Sequence, residues 1–220
     1  MSASGRLIVL EGVDGCGSTT QTRRLVAALG ARGYDARATF EPSEGPVGLL
    51  IRQALEKRLT DAQGGLRRFD WATLALLFAA DRLDHVQSFI EPAIAAGAIV
   101  VSDRYTLSSL VYQSVTAPSG TPDALRWVQE LNRAARTPDI TVVLDVGVAV
   151  AAERRRARGG PEELFDALSI QERLARAYAT AETLAPEQRV LHVSGEGSAE
   201  EVTERLLEAV GGLLPRREKA

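Results

Sequence analysis

Lysine is almost absent from this chain. Of its 26 basic residues two are lysines, Lys57 and Lys219, and the other 24 are arginines. Such a bias fits a GC-rich coding sequence. Cysteine is scarcer still: Cys16 stands alone, which excludes an intramolecular disulfide and a cysteine-ligated metal cluster. No apolar run reaches the roughly 20 residues needed to span a bilayer, and the first ten residues carry no signal-peptide core. A soluble, cytoplasmic protein with no membrane partner is expected. The net charge of -3 gives no general attraction to a nucleic-acid polymer.

What is present is an alternation. Short apolar, β-branched runs at 6–11, 35–40, 98–102, 140–146 and 190–193 predict strands. They are continuous rather than alternating, as in strands buried on both faces. Between them, helical patterns cover 19–32, 47–58, 68–96, 106–116, 121–136, 148–158, 164–184 and 198–212. This order predicts an α/β fold, a five-stranded parallel sheet between two helical layers. No internal repeat or low-complexity linker interrupts residues 1–213, so one domain is expected, with a polar tail at 214–220.

Residues 12–19, GVDGCGST, follow the phosphate-loop pattern G-x-x-x-x-G-K-[ST] except at Ser18, where the pattern has lysine. The arginine bias does not account for a serine there. The context is otherwise complete: the strand LIVLEG precedes the loop and the helix TTQTRRLVAALGARG follows. Gly12, Gly15 and Gly17 allow backbone angles that turn N–H groups toward an anion. The helix N-terminus adds its dipole. Val13, Asp14, Cys16, Ser18, Thr19 and Thr20 complete the candidate phosphate cradle, and Thr19 holds the hydroxyl position of a Mg²⁺ ligand. A glycine-rich turn without a ligand is the alternative. Cys16 fills the loop or, at a helix N-terminus, is a stabilised thiolate.

Asp103 and Arg104 follow the third strand, where ligands bind in a parallel sheet. The carboxylate can orient a metal-bound water or the loop hydroxyl, and the guanidinium can grip a phosphate bidentately. A purely structural ion pair reads equally well. On the 68–96 helix, Leu74, Leu77, Phe78, Asp81, Arg82 and His85 share a stripe. Charge on an apolar stripe is costly unless paired or ligand-bound. An Asp81–Arg82 pair is the structural reading, and His85 reads as structural. Arg154, Arg155, Arg156 and Arg158 with a glycine pair and Pro161 read as a basic helix end running into a loop.

The segments EGVDGCGSTTQ, FEP, LLFAADR, SDRYTLSSLVYQ, PDITVVLDV and RRRARGGPEELFD stand in one order over about residues 6 to 210. In that order and spacing the chain resembles bacterial thymidylate kinases, of the P-loop nucleoside monophosphate kinase class. The resemblance implies a P-loop kinase fold with a short arginine-rich lid at about 155–164. It implies transfer of a phosphoryl group from ATP, with Mg²⁺, to dTMP, and a homodimer with the 68–96 helix as contact. Glu41, Phe78, Arg82, Arg104, Ser108, Ser109, Tyr112 and Gln113 would hold dTMP. Phe78 would stack on thymine, Arg82 would donate to its 4-carbonyl, and Tyr112 would crowd the sugar's 2′ position. Asp14, Arg104, Arg156 and Arg158 are the catalytic candidates, with Asp14 also meeting the 3′-hydroxyl. Thr19, Asp14 and Asp103 are the metal candidates. Phe40 departs from the family, many of whose bacterial members have arginine before the Glu-Pro pair.

Loss of a well-placed donor such as the loop lysine typically costs ~3–4 kcal/mol, or about 10²–10³ in rate. Three functions follow. The chain is an active dTMP kinase whose arginines cover for lysine, a nucleotide-binding homologue that has lost turnover, or a kinase for another deoxynucleotide. A GTPase switch is disfavoured because no N-K-x-D motif is present.

Overall fold

The computed structural model describes residues 5–118, 121, 123–159, 164–165 and 167–214. Five strands, β1 (Arg6–Glu11), β2 (Ala36–Phe40), β3 (Ile99–Asp103), β4 (Ile140–Asp145) and β5 (Val190–Ser194), pair in parallel. Each lies within one residue of its predicted ends. Their spatial order is β2-β3-β1-β4-β5, which explains a departure from expectation. β1, β3 and β4 are buried almost throughout, whereas β2 and β5 are edge strands and half exposed.

Ten α-helices occur among the described residues: α1 (Ser18–Ala31), α2 (Pro46–Leu55), α3 (Trp71–His85), α4 (Glu91–Ala95), α5 (Thr106–Thr116), α6 (Ala124–Asn132), α7 (Val148–Arg158), α8 (Leu168–Tyr178), α9 (Ala181–Leu184) and α10 (Ala199–Gly211). β1 divides its side chains between two cores. Ile8 and Leu10 pack with Leu25, Leu29, Leu206 and Val210, while Leu7 and Val9 pack with Val86, Ile90 and Ile94. None of the described helices is long and apolar enough to cross a membrane.

Three helical predictions need adjustment. The 68–96 segment is helical from Trp71 to Ala95, but Val86–Ile90 widens into a π-turn. Pro92 follows, and a proline removes one i→i−4 bond and crowds the preceding turn, which a π-turn relieves. Among the described residues the 121–136 segment is helical over α6 alone. The 164–184 segment divides into α8 and α9. Residues 160–163 of the expected lid, and residues 215–220 of the expected tail, lie outside the described residues.

The strand order positions the site. β1 sits between β3 and β4, with Leu10 opposite Asp103 and Glu11 opposite Val143. The segments leaving these three strands therefore meet at one crest of the sheet. This is the place where doubly wound sheets bind ligands.

Candidate active site

Residues 12–17 form the turn from β1 into α1. Gly17 takes the left-handed conformation at φ 98°, and the first helical bond runs from Gln21 N to Gly17 O at 2.9 Å. The amides of Ser18, Thr19 and Thr20 thus lie in the first turn, without i→i−4 partners of their own. Gly15, at φ 91°, has no room for a side chain: a Cβ there would stand 2.3 Å from Ala151 O of α7. Val13 is buried in the core and Cys16 lies beneath the loop. Burial raises the Cys16 thiol above its ordinary value despite the Arg104 charge and hydrogen bonding from Ser18. The residue is a filler here, not a stabilised thiolate.

Two carboxylates face this loop. Thr19 Oγ1 donates to Asp103 Oδ2 at 2.5 Å, and Asp103 Oδ1 is buried without a partner among the described residues. Arg104 Nη2 pairs with Asp14 Oδ1 at 2.5 Å. Its Nη1 donates to Gly12 O at 3.0 Å and to Ser108 Oγ and Tyr178 OH at 3.2 Å. Asp14 Oδ2 accepts from Gln171 Nε2 at 3.0 Å. Burial works against the Arg104 charge. Tyr112, Asp14, Tyr178 and Asp103 outweigh it, so the guanidinium stays protonated well above its ordinary value.

Glu41, Phe78, Arg82, Arg104, Ser108, Ser109, Tyr112 and Gln113, the eight acceptor-side candidates, line one cavity together with Asp14, Tyr105 and Phe165. Its floor is a buried polar cluster. Arg82 Nη2 lies 2.7 Å from Glu41 Oε2 and donates to Tyr105 O at 3.0 Å. Arg82 Nη1 donates to Ser109 Oγ at 3.0 Å and also to Asn132 Oδ1. Arg82 Nε and Gln113 Oε1 are buried without partners among the described residues. Asp81 does not pair with Arg82. It accepts from Ser43 N and Ser43 Oγ, at 2.7 and 2.6 Å. His85 bridges Thr39 Oγ1 and Glu41 Oε1, at 2.6 and 3.2 Å, as a structural residue. At Phe40, the Arg52 guanidinium lies 5.9 Å from the ring centre.

A second cavity opens on the other side of Asp14 and Arg104. It is lined by the loop residues Asp14, Gly15 and Gly17 to Thr20, and by Arg23, Arg154, Arg155 and Arg158. Arg155 Nη1 donates to Asp14 O at 2.6 Å. Arg154 Nη1 donates to Cys16 O at 3.3 Å and to Gly195 O at 3.1 Å. Of the two predicted lid residues, Arg158 lines this cavity. Arg156, on the exposed side of α7, is not among its lining residues. A third hollow continues past Gly17, Thr20 and Arg154 to Gly195, Gly197 and Val202.

Two cavities that join at one arginine and one carboxylate suit transfer between two bound anions. Comparison with protein-family models matches residues 10–206 to Thymidylate kinase. The chain belongs to the thymidylate kinase family. Relatives agree over nearly full length. It is 38% identical over 214 residues to the "Thymidylate kinase" of Rhizorhabdus wittichii, covering 96% of this chain and 99% of that one. It is 36% identical over 207 residues to the "Probable thymidylate kinase" of Pyrococcus abyssi, covering 94% and 96%.

Sequence reasoning missed the residues that brace this candidate site. Glu11 Oε1 accepts from the amides of Tyr105 and Ser108, at 2.9 and 3.0 Å. Its Oε2 accepts from Ser108 Oγ at 2.6 Å and Tyr178 OH at 2.9 Å. The available signal was a charge ending the apolar run LIVLE. Gln171 and Tyr178 sit in α8, inside no recognised motif. Burial pushes the Glu11 carboxyl above its ordinary 4.5, against the Arg104 charge and these hydrogen bonds. The folded chain then holds a proton that the unfolded chain releases. That contribution to stability is present below pH 4.5 and is lost as pH rises through the folded value. Glu11→Gln is expected to flatten the decline of denaturant stability with pH above 4.5. It should also lower stability by ~1–3 kcal/mol, since an amide meets donors with a donor. An unchanged slope in denaturation series at several pH values would contradict this.

Proposed function

We propose that the joined cavities carry ATP and dTMP, and that the chain transfers the γ-phosphoryl group of ATP to the dTMP phosphate, giving ADP and dTDP. The observation that carries this reading is the meeting of the cavities at Asp14 and Arg104. The chain is a phosphotransferase of the thymidylate kinase family, whose donor is ATP. The triphosphate belongs on the loop amides of α1, and its base in the hollow beyond Gly17 and Arg154. Working on ATP, the enzyme acts in the cytoplasm.

The acceptor side reads thymine by complementarity. Arg82 Nε offers an unused donor and Gln113 Oε1 an unused acceptor. Thymine presents the inverse pair, the 4-carbonyl and N3–H. Cytosine presents an amino group and a bare ring nitrogen, and so meets like with like. Phe78 lines the same cavity as the stacking ring, and Tyr112 fills the space beside the sugar.

In the reaction an oxygen of the dTMP phosphate bonds to the γ-phosphorus while the bond to the β-phosphate oxygen breaks. The nucleophile is already an anion, so no general base is needed. The obstacle is repulsion between two phosphates. Arg104 holds its charge at the junction, with Asp14, Gly12 O and Tyr178 fixing the fork. Arg158 stands at the donor side for the charge that develops in transfer. Mg²⁺ fits Thr19 and Asp103, whose buried Oδ1 has no other partner among the described residues. Few protein ligands suffice for an ion that keeps its waters and phosphates. When bound it neutralises phosphate charge. Asp14, engaged by Arg104 and Gln171, serves better as the partner of Arg104.

Assay of ADP release with ATP, Mg²⁺ and each nucleoside monophosphate should show turnover with dTMP above all others. Binding of dTMP without turnover would identify a homologue that has lost activity. Arg158→Ala should lower kcat by about 10²-fold or more with little change in the KM for dTMP, while Arg156→Ala should stay within a few-fold. Equal losses in the two variants would remove this distinction. A homodimer is proposed through the long helical rod, where Leu76 is 51% and Phe89 36% exposed. Sedimentation at micromolar concentration should give twice the chain mass, and Leu76→Asp should give the monomer.

A further inference from the structure

We propose that Arg23 of α1 binds the phosphates of the nucleotide and supplies the positive charge that Ser18 does not. The inference rests on the donor cavity being the ATP site. Five arginines line that cavity. Three are committed to the protein: Arg104 to Asp14 and Gly12, Arg154 to Cys16 and Gly195, and Arg155 to Asp14 and Gln171. Arg23 and Arg158 are exposed and have no hydrogen bond or ion pair among the described residues. Their neighbour Arg24 shows the contrast, since it is held by Thr203 at 3.0 Å and Glu200 at 2.8 Å.

Helix geometry separates Arg23 from Arg158. Ser18, Gln21, Thr22, Leu25 and Leu29 form the buried face of α1. Thr19, Thr20 and Arg23 lie on its other side and border the same cavity. Arg23 is four residues beyond Thr19, so the two share a face, and side chains in a helix lean toward its N-terminus. The Arg23 guanidinium therefore leans over the turn whose amides receive phosphate. It shares a rigid helix with the cradle and can act on the bound ground state. Arg158, at the last residue of α7, is placed for the reacting group instead. Arg23 should therefore appear in nucleotide affinity, and Arg158 in turnover.

The test is ATP binding by calorimetry, with Mg²⁺, to the native protein, Arg23→Gln, Ser18→Lys and the double variant. Arg23→Gln is expected to weaken ATP binding about tenfold, as for loss of a charged hydrogen bond. Arg23→Lys should recover most of it. In the Ser18→Lys background the same Arg23→Gln change should cost less than about threefold, because a lysine then occupies the charge site. Native-like affinity in Arg23→Gln, or an equal loss in both backgrounds, would overturn the proposal. Ser18 is buried, so Ser18→Lys is first checked by thermal melting. If it does not fold, salt dependence decides. The affinity of the native protein should fall more steeply with KCl than that of Arg23→Gln, and equal slopes would overturn the proposal. The same proteins are assayed for transfer to dTMP. Arg23-dependent ATP binding without transfer would sink the kinase reading and leave this one standing.

Discussion

At the crest of the sheet the Glu11 carboxylate collects the Tyr105 and Ser108 amides, the Ser108 hydroxyl and the Tyr178 phenol. That one group ties the end of β1 to the starts of β3's exit loop and α5, and to the end of α8. Immediately before the first of these contacts comes Arg104, a non-glycine residue at φ 70°. Such a backbone costs on the order of 1–3 kcal/mol and persists only where its surroundings over-determine it. Here Asp103 is held in β3 on one side and the Tyr105 amide is held by Glu11 on the other. The unusual φ turns the guanidinium back across the loop, onto Gly12 and Asp14. Burial makes a charge on Glu11 expensive, and the nearby Arg104 charge offsets only part of that cost.

The arginines of this site act on the loop as well as on a ligand. Arg104 takes the carbonyl of Gly12, Arg155 that of Asp14, and Arg154 that of Cys16. These bonds fix three of the loop's carbonyls, and a loop fixed in this way can keep the backbone set that a phosphate nest requires. A fork can bond a carbonyl and a second group at once: Arg154 joins Cys16 to Gly195, and Arg104 joins Gly12 to Asp14. A lysine in their place would keep charge but lose the planar, pre-organised fork. The near absence of lysine is thus matched by a cradle whose bracing uses arginine geometry.

Much of the fold is legible in the sequence because its signals are local. The apolar runs become strands to within a residue, and the helix after the loop starts where its glycine allows. The limits of that legibility are also physical. An apolar run does not say whether its strand is central, and β2 and β5 became edges through pairing order alone. A periodic pattern hides the π-turn before Pro92. In the site, residues inside contiguous motifs are readable: Thr19 and Asp103, or Arg82 and Ser109, are brought into contact. Glu11, Gln171 and Tyr178 contribute through partners up to 167 positions away, and no local pattern records such contacts. The arginine cluster is visible as charge, but only the facing of α7 separates Arg154, Arg155 and Arg158 from Arg156.

Why such a site can carry serine in the loop follows from the chemistry of its acceptor. A hydroxyl nucleophile would need a base as well as charge, with each group in one place. A phosphate nucleophile needs only to be brought against another phosphate, and the opposing energy is Coulombic. Coulomb energy falls as the inverse of distance, so a cation displaced by one side chain still acts, provided it stays on the same rigid frame. Position is demanded instead of backbone amides, each of which would have to meet a single phosphate oxygen. The chain keeps that distinction. Gly15 cannot accept even a methyl group against Ala151, and the carbonyls around it are bonded one by one. At Gly15 the loop geometry admits no substitute, whereas a Coulombic contribution can come from more than one position on the same frame.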